Sequence, residues 1–176
     1  YAYIPLTLGE PKHAPPQFVI NALANPQTLA QHLATYPATK GSDGLREAIA
    51  AWLATRFGVS IDATSQVIPV NGTREALFSY AQAMLSGKSG SRVIMPNPFY
   101  QIYEGAALLA GATPHFINND PAAAYSQDFS RVSEADWAAT ELVYICSPGN
   151  PTGQIMSLSQ QQELIELAHK HDFLIA

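Results

Sequence analysis

Short apolar runs alternate with amphipathic stretches along this chain, and that alternation constrains the fold more than any other feature of it. Residues 43–57 place Leu45, Ile49, Trp52 and Leu53 at helical spacing, with Gly58 positioned to end the helix. Residues 73–85 repeat the pattern through Leu77, Tyr80, Ala81 and Met84. Residues 98–110 predict a further helix. Ser159, with Gln162 three residues on, reads as a capping box opening another, on which Leu164, Leu167, Ala168 and His171 share a face. Between the helices lie short β-branched or apolar segments at 66–70, 92–95, 113–117 and 142–146, and one more beginning at Phe173. Strands that alternate with helices predict βαβ units, hence an α/β fold built on a parallel sheet.

The rest of the chain is connective. Residues 1–16 are rich in Pro and Gly and read as an extended arm. Pro15-Pro16 suits a helix start, and Phe18, Val19, Ala22 and Leu23 then share a face as far as Asn25-Pro26. A loop spans 35–43. A polar stretch before residue 140 holds Trp137 and a short helix from Ser133.

Composition removes several function classes. The longest apolar runs, such as 142–146, are too short to cross a bilayer as a helix. Cys146 is the single cysteine, which excludes a disulfide scaffold. Nine basic against fourteen acidic residues leave a net charge of −5, which argues against a track for nucleic-acid phosphates. Only 13 % of the 176 residues are charged, against about 25 % in an ordinary soluble domain. The sequence opens on Tyr1 and closes inside a nascent strand at 172–176. Both features lead us to expect a piece of a larger, oligomeric body that covers some of this apolar surface.

In open α/β sheets, ligands bind beyond the carboxyl ends of the strands. That rule singles out Asn71-Gly72-Thr73-Arg74 after 66–70, Pro96-Asn97-Pro98-Phe99-Tyr100 after 92–95, and Ser147-Pro148-Gly149-Asn150-Pro151-Thr152-Gly153 after 142–146. All three are expected at one edge. Gly72 admits close approach to the backbone, and the unpartnered first amides of the helix favour a phosphate. The same turn also reads as an ordinary strand-to-helix connection with Thr73 as its cap. One of Tyr100 and Tyr103 could stack on a planar ligand, but their helical spacing alone favours two core aromatics. Asn150 is held between Gly149 and Pro151, which points to a binding role for its amide.

Other matches are decoys. Gly87-Lys88-Ser89 has the ending of a phosphate loop, but Gln82 stands where its earlier glycine belongs. His169 and His171 point in different directions on a helix. Cys146 has no evident base and reads as a small buried residue.

Four motifs, in order, now carry a resemblance: Tyr36-Pro37-x3-Gly41-x3-Leu45-Arg46, Asn71-Gly72-Thr73-Arg74-Glu75-Ala76-Leu77, Pro98-Phe99-Tyr100-x2-Tyr103, and Ser147-Pro148-Gly149-Asn150-Pro151-Thr152-Gly153. The chain resembles the pyridoxal-phosphate (PLP) dependent aminotransferases of fold type I, class I/II, from Leu8-Gly9-Glu10-Pro11 to Ala176. The wording of 36–46 looks most like bacterial succinyldiaminopimelate aminotransferases of lysine biosynthesis. The resemblance implies a three-layer αβα large domain with a mostly parallel sheet, incomplete here. It divides the chain into an N-terminal arm, 1–16, and the first half of the PLP-binding domain, 17–176.

By the same resemblance, Gly72, Thr73 and Arg74 hold the cofactor phosphate, Tyr100 stacks on the pyridine ring, and Asn150 hydrogen-bonds its phenolic oxygen. Tyr36 reaches the phosphate in the partner subunit's site, and Gly9 lies in an arm that closes over the substrate carboxylate. The implied chemistry moves an amino group between an amino acid and a 2-oxo acid, with N-succinyl-LL-2,6-diaminopimelate and 2-oxoglutarate as one pair, in a cytoplasmic homodimer without nucleic-acid or membrane partners. A lyase or synthase on the same frame, or a non-catalytic regulatory domain derived from it, is compatible with the same motifs. The sequence departs from the family at the lysine that holds the cofactor and moves the proton. The lysines are Lys12, Lys40, Lys88 and Lys170, and none has the Ser-x-x-Lys context. The aspartate for the pyridine nitrogen and the arginine for the substrate carboxylate are expected after Ala176. The fragment alone is therefore expected to be inactive, and no catalytic residue is assigned within it.

Overall fold

A computed structural model describes residues 3, 4, 9 and 11–176. Most of the expected arm, namely Tyr1, Ala2, Pro5, Leu6, Thr7, Leu8 and Glu10, lies outside the described residues. The chain forms two compact units, Tyr1–Pro69 and Val70–Ala176.

The first unit is helical. Helix α1 (Gln17–Leu23) follows Pro16. Helix α2 (Pro26–Leu33) was not anticipated, because Asn25-Pro26 reads equally as the end of one helix and the start of another. Here it starts one. Pro26 takes the first turn, and Asn25 Oδ1 accepts from the amides of Gln27 at 3.0 Å and Thr28 at 3.1 Å. Helix α3 (Asp43–Phe57) has the expected bounds, with Ser42 as N-cap and Gly58 as a left-handed C-cap. Its apolar face is not buried, however: Leu45 and Trp52 are exposed, and the buried residue is Arg46. The Arg46 guanidinium donates to the carbonyls of Ala63 at 2.7 Å and Thr64 at 3.2 Å, and pairs with Asp43. This fixes α3 to the turn that follows it.

One expected element is absent. Residues 66–70 form no strand and pair with none among the described residues. β-branched composition suits a strand but does not supply a partner, and Pro69 lacks a donor for a ladder.

The second unit carries the sheet. Helix α4 (Thr73–Met84) is followed by β1 (Arg92–Asn97), α5 (Ile102–Leu109), β2 (Thr113–Asn118), α6 (Glu134–Ala138), β3 (Thr140–Val143), α7 (Leu158–His171) and β4 (Leu174–Ile175). The strands are all parallel, in the order β2-β1-β3-β4. Helix α5 begins four residues later than the spacing suggested, after a turn through Pro98, Phe99 and Tyr100. The capping box of α7 belongs to Ser157 and Gln160, not to Ser159 and Gln162. Both pairs have the required spacing. The earlier one wins, because Gln160 also donates to Ser126 Oγ and the Gln127 carbonyl, both at 2.8 Å.

Side chains alternate across the sheet and divide the core in two. Val93, Met95, Leu142 and Tyr144 face one layer, packing with Ala81 of α4 and with Tyr103, Ala106 and Ala107 of α5. Ile94, Ile117 and Val143 face the other, with Trp137 of α6, Leu164 of α7 and Phe173. Helices cover both faces, as a parallel sheet requires. The result is the αβα arrangement, incomplete. Among the described residues no helix is long and apolar enough to cross a membrane.

Candidate functional site

The carboxyl ends of β1 and β3 open on the same edge because the strands are neighbours and parallel. The turn after β1 is secured to the edge strand. Asn97 Nδ2 donates to Asn118 Oδ1 at 2.7 Å, and Phe99 stacks on Phe116 with centroids 5.3 Å apart. Tyr100 leaves this turn half-buried, its ring edge-on to Tyr103 at 5.9 Å. Tyr103 is a core residue, stacked on Tyr144 at 4.5 Å. Burial, then the neighbouring Cys146 thiol, pushes the Tyr103 phenol up to about 12. The two aromatics thus divide the two readings between them: Tyr103 packs, and Tyr100 stays at the edge.

The loop after β3 is tied by its own backbone. The Gly149 amide donates to the Gln154 carbonyl, and the Gly153 amide to the Gly149 carbonyl, both at 2.7 Å. Ser147 Oγ accepts from the Met156 amide at 3.0 Å. A Cβ on Gly149 would stand 2.8 Å from Thr152 Oγ1, so a larger residue there would displace the Thr152 side chain. Asn150 sits exposed on this loop. Cys146 is only half-buried, and its thiol donates to the Pro148 carbonyl at 3.1 Å.

The third candidate, Gly72-Thr73-Arg74, does not follow a strand, yet it reaches the same edge. Two contacts set the direction of α4. Near its start, the Leu77 carbonyl accepts from Tyr144 Oη at 2.7 Å, just beyond the carboxyl end of β3. Past its end, Ser86 donates through its amide and hydroxyl to the Glu141 carboxylate, near the start of β3. Helix α4 therefore runs antiparallel to β3. Thr73 lies about 6 Å further toward the carboxyl edge than Leu77 at the ordinary helical rise. Gly72 precedes the helix at φ +114, and no side chain caps the first turn. The amides of Thr73, Arg74 and Glu75 are those a helix leaves without internal partners.

The second unit thus brings Gly72, Thr73, Arg74, Tyr100 and Asn150 to one edge. Tyr36, 99 % exposed, and Gly9, also exposed, belong to the first unit. The lysines of the second unit are elsewhere. Lys88 lies in the connection from α4 to the start of β1, and Lys170 sits in the last turn of α7, paired with Glu134 at 2.6 Å. Both stand at the amino edge of the sheet. Two structural residues escaped sequence reasoning. Arg46 stands inside a quoted motif but acts as a clamp, and Tyr144 sits in an apolar run whose one hydroxyl was the available signal.

The family model for aminotransferase class I and II matches residues 2–176. The chain belongs to that family. An aminotransferase from Neisseria meningitidis superposes with a TM-score of 0.90 at 42 % identity, over 98 % of this chain and 43 % of the other. The LL-diaminopimelate aminotransferase of Dehalococcoides mccartyi is 28 % identical over 98 % of this chain and 44 % of its own length. A 4-dedimethylamino-4-oxo-anhydrotetracycline transaminase of Streptomyces rimosus is 34 % identical over 93 % of this chain and 40 % of its own. The chain spans less than half the length of the curated relatives it matches.

The family's cofactor is PLP, and the edge suits it. A glycine in a conformation closed to other residues opens an uncapped helix end for the phosphate, an aromatic face is available for the ring, and an exposed amide for a polar substituent.

Proposed function

We propose that this chain is the first half of a PLP-dependent aminotransferase, with an arm at 1–16 and cofactor-domain residues at 17–176. The observation that carries this reading is the convergence of the α4 N-terminus, the Tyr100 turn and the Asn150 loop on one sheet edge. The amides of Gly72, Thr73 and Arg74 hold the phosphate, aided by the positive end of the α4 dipole. The Tyr100 ring covers one face of the pyridine, and the Asn150 amide donates to the phenolic oxygen. When bound, PLP supplies a reactive aldehyde and an electron-withdrawing ring. Tyr36 and Gly9 serve the partner subunit's phosphate and the substrate carboxylate respectively, within a cytoplasmic homodimer.

No lysine of the second unit stands at the cofactor edge. The lysine that anchors the cofactor and moves the substrate proton is supplied by chain beyond these residues. The amino donor we favour is N-succinyl-LL-2,6-diaminopimelate, with 2-oxoglutarate as acceptor. The support is the wording of residues 36–46; several relatives are named for LL-diaminopimelate, the unsuccinylated diamine, which is the rival donor.

The test uses the full-length protein supplied with PLP. A visible absorption band of bound cofactor, and glutamate formation from 2-oxoglutarate with succinylated diaminopimelate in preference to the free diamine, are expected. Absence of the band removes the cofactor reading. A preference for free LL-diaminopimelate removes only the substrate assignment.

A further inference from the structure

We propose that Tyr144 is a positioning residue for the cofactor phosphate, fixing the first turn of α4 at the carboxyl edge through its hydroxyl. The proposal rests on the PLP reading above. Tyr144 is fully buried just past the end of β3. Its Oη donates to the Leu77 carbonyl at 2.7 Å, across 67 residues of sequence. Leu77 is one turn into α4, so this bond holds the helix one turn beyond the amides of Thr73 and Arg74, which the rigid helix carries with it. The aliphatic contacts of Leu77 and Ala81 press α4 against the core. Apolar packing is non-directional, though, and leaves sliding along the helix axis weakly opposed. Gln82 Nε2, donating to the Ala106 carbonyl at 2.9 Å, and Ser86, bonded to Glu141, oppose that sliding at the far end of α4; among the described residues the Tyr144 bond is the one that opposes it near the start.

The ring has a separate task. It stacks on Tyr103 with planes 10° apart, and Tyr103 in turn meets Tyr100 edge-on at 87°. One residue therefore supports the phosphate turn through its hydroxyl and the ring platform through its aromatic face. Burial, followed by the neighbouring Tyr80 phenol, raises the Tyr144 hydroxyl to about 12, so it keeps its proton for donation at any ordinary pH.

The division predicts a selective defect. In the full-length apoprotein, Y144F retains the stacked ring and removes the bond to Leu77. Its Kd for PLP should rise about tenfold, the scale of one well-placed hydrogen bond. Its Kd for pyridoxal, which has no phosphate, should stay unchanged. The phosphorus NMR signal of bound PLP should shift in Y144F while the visible absorption of the ring does not. Equal weakening of PLP and pyridoxal in Y144F, or an unchanged Kd for PLP, overturns the proposal. A wild-type protein that binds PLP no more tightly than pyridoxal overturns the underlying phosphate site instead.

Discussion

Replacing Gly72 with alanine probes whether the turn before α4 is a rigid cradle. Gly72 has φ +114 and ψ 147, a region open to glycine and closed to residues with a Cβ. Steric contact is not the obstacle. The new Cβ would meet only Glu75 Oε2, at 3.0 Å, the free end of a flexible side chain. The cost is backbone strain, on the order of 3 kcal/mol for a conformation this restricted. Gly87 supplies an internal standard in the same compact unit. It lies at φ +67, with nothing within 4 Å of a Cβ, and alanine enters that left-handed region at about 1 kcal/mol. Urea denaturation should therefore place G72A about 2 kcal/mol below G87A in unfolding free energy. If the turn escapes strain by relaxing to negative φ, the stability gap narrows, but the amides of Thr73 and Arg74 move. PLP affinity then falls by about tenfold or more. A G72A protein as stable as G87A that also binds PLP like the wild type would refute the reasoning.

Further outcomes follow from the packing and the charges. Arg46→Ala removes a guanidinium that is 2 % exposed and serves two backbone carbonyls; thermal melting should report a loss of about 3 kcal/mol, and Arg46→Lys should not restore it, because an ammonium lacks the planar fork. Ile94→Ala, at a fully buried position on the α6/α7 side of the sheet, should cost about 3–4 kcal/mol in the same assay. Asp136 is held below the usual carboxylate range first by the Ser133 hydroxyl and then by the nearby Arg92 and His115, and Glu134 by a hydrogen bond from Lys170. These groups bind protons less readily when folded, so their stabilisation is complete above the unfolded carboxylate value near pH 4 and is lost as pH falls through the lower folded values. The urea midpoint should change little from these groups between about pH 7 and pH 5 and drop below about pH 4, and Ser133→Ala should soften that drop.

Much of the architecture was legible because it is local. The bounds of α3 followed from Ser42, a four-turn apolar rhythm and Gly58, all of which act within a few residues of one another. The inner strands β1 and β3 showed as apolar runs because a parallel sheet is covered on both faces, whereas β2, at the sheet edge, buries only Ile117. Where two local signals competed, sequence could not choose. Asn25-Pro26 both ends and begins a helix, and Ser157 and Ser159 each offer a capping box; for the capping box the choice fell to partners at Ser126 and Gln127, distant in sequence.

Of the site, the residue types and their loops could be named in advance, since a helix-opening glycine, a Pro-bounded asparagine and an edge aromatic each carry their chemistry with them. Their convergence was decided by tertiary structure. The segment 66–70 was expected to bring Gly72 to the edge as the end of a strand, but it pairs with no described strand. Helix α4 brings it there instead, held near its start by Tyr144 and past its end by Glu141. Likewise the periodicity of α3 could not tell that Arg46, rather than Leu45 or Trp52, is the buried residue. Spacing and capping are interactions among near neighbours and so can be read along the chain. Strand pairing, helix direction and burial depend on groups far apart in sequence, and only the folded chain brings those groups within reach of one another.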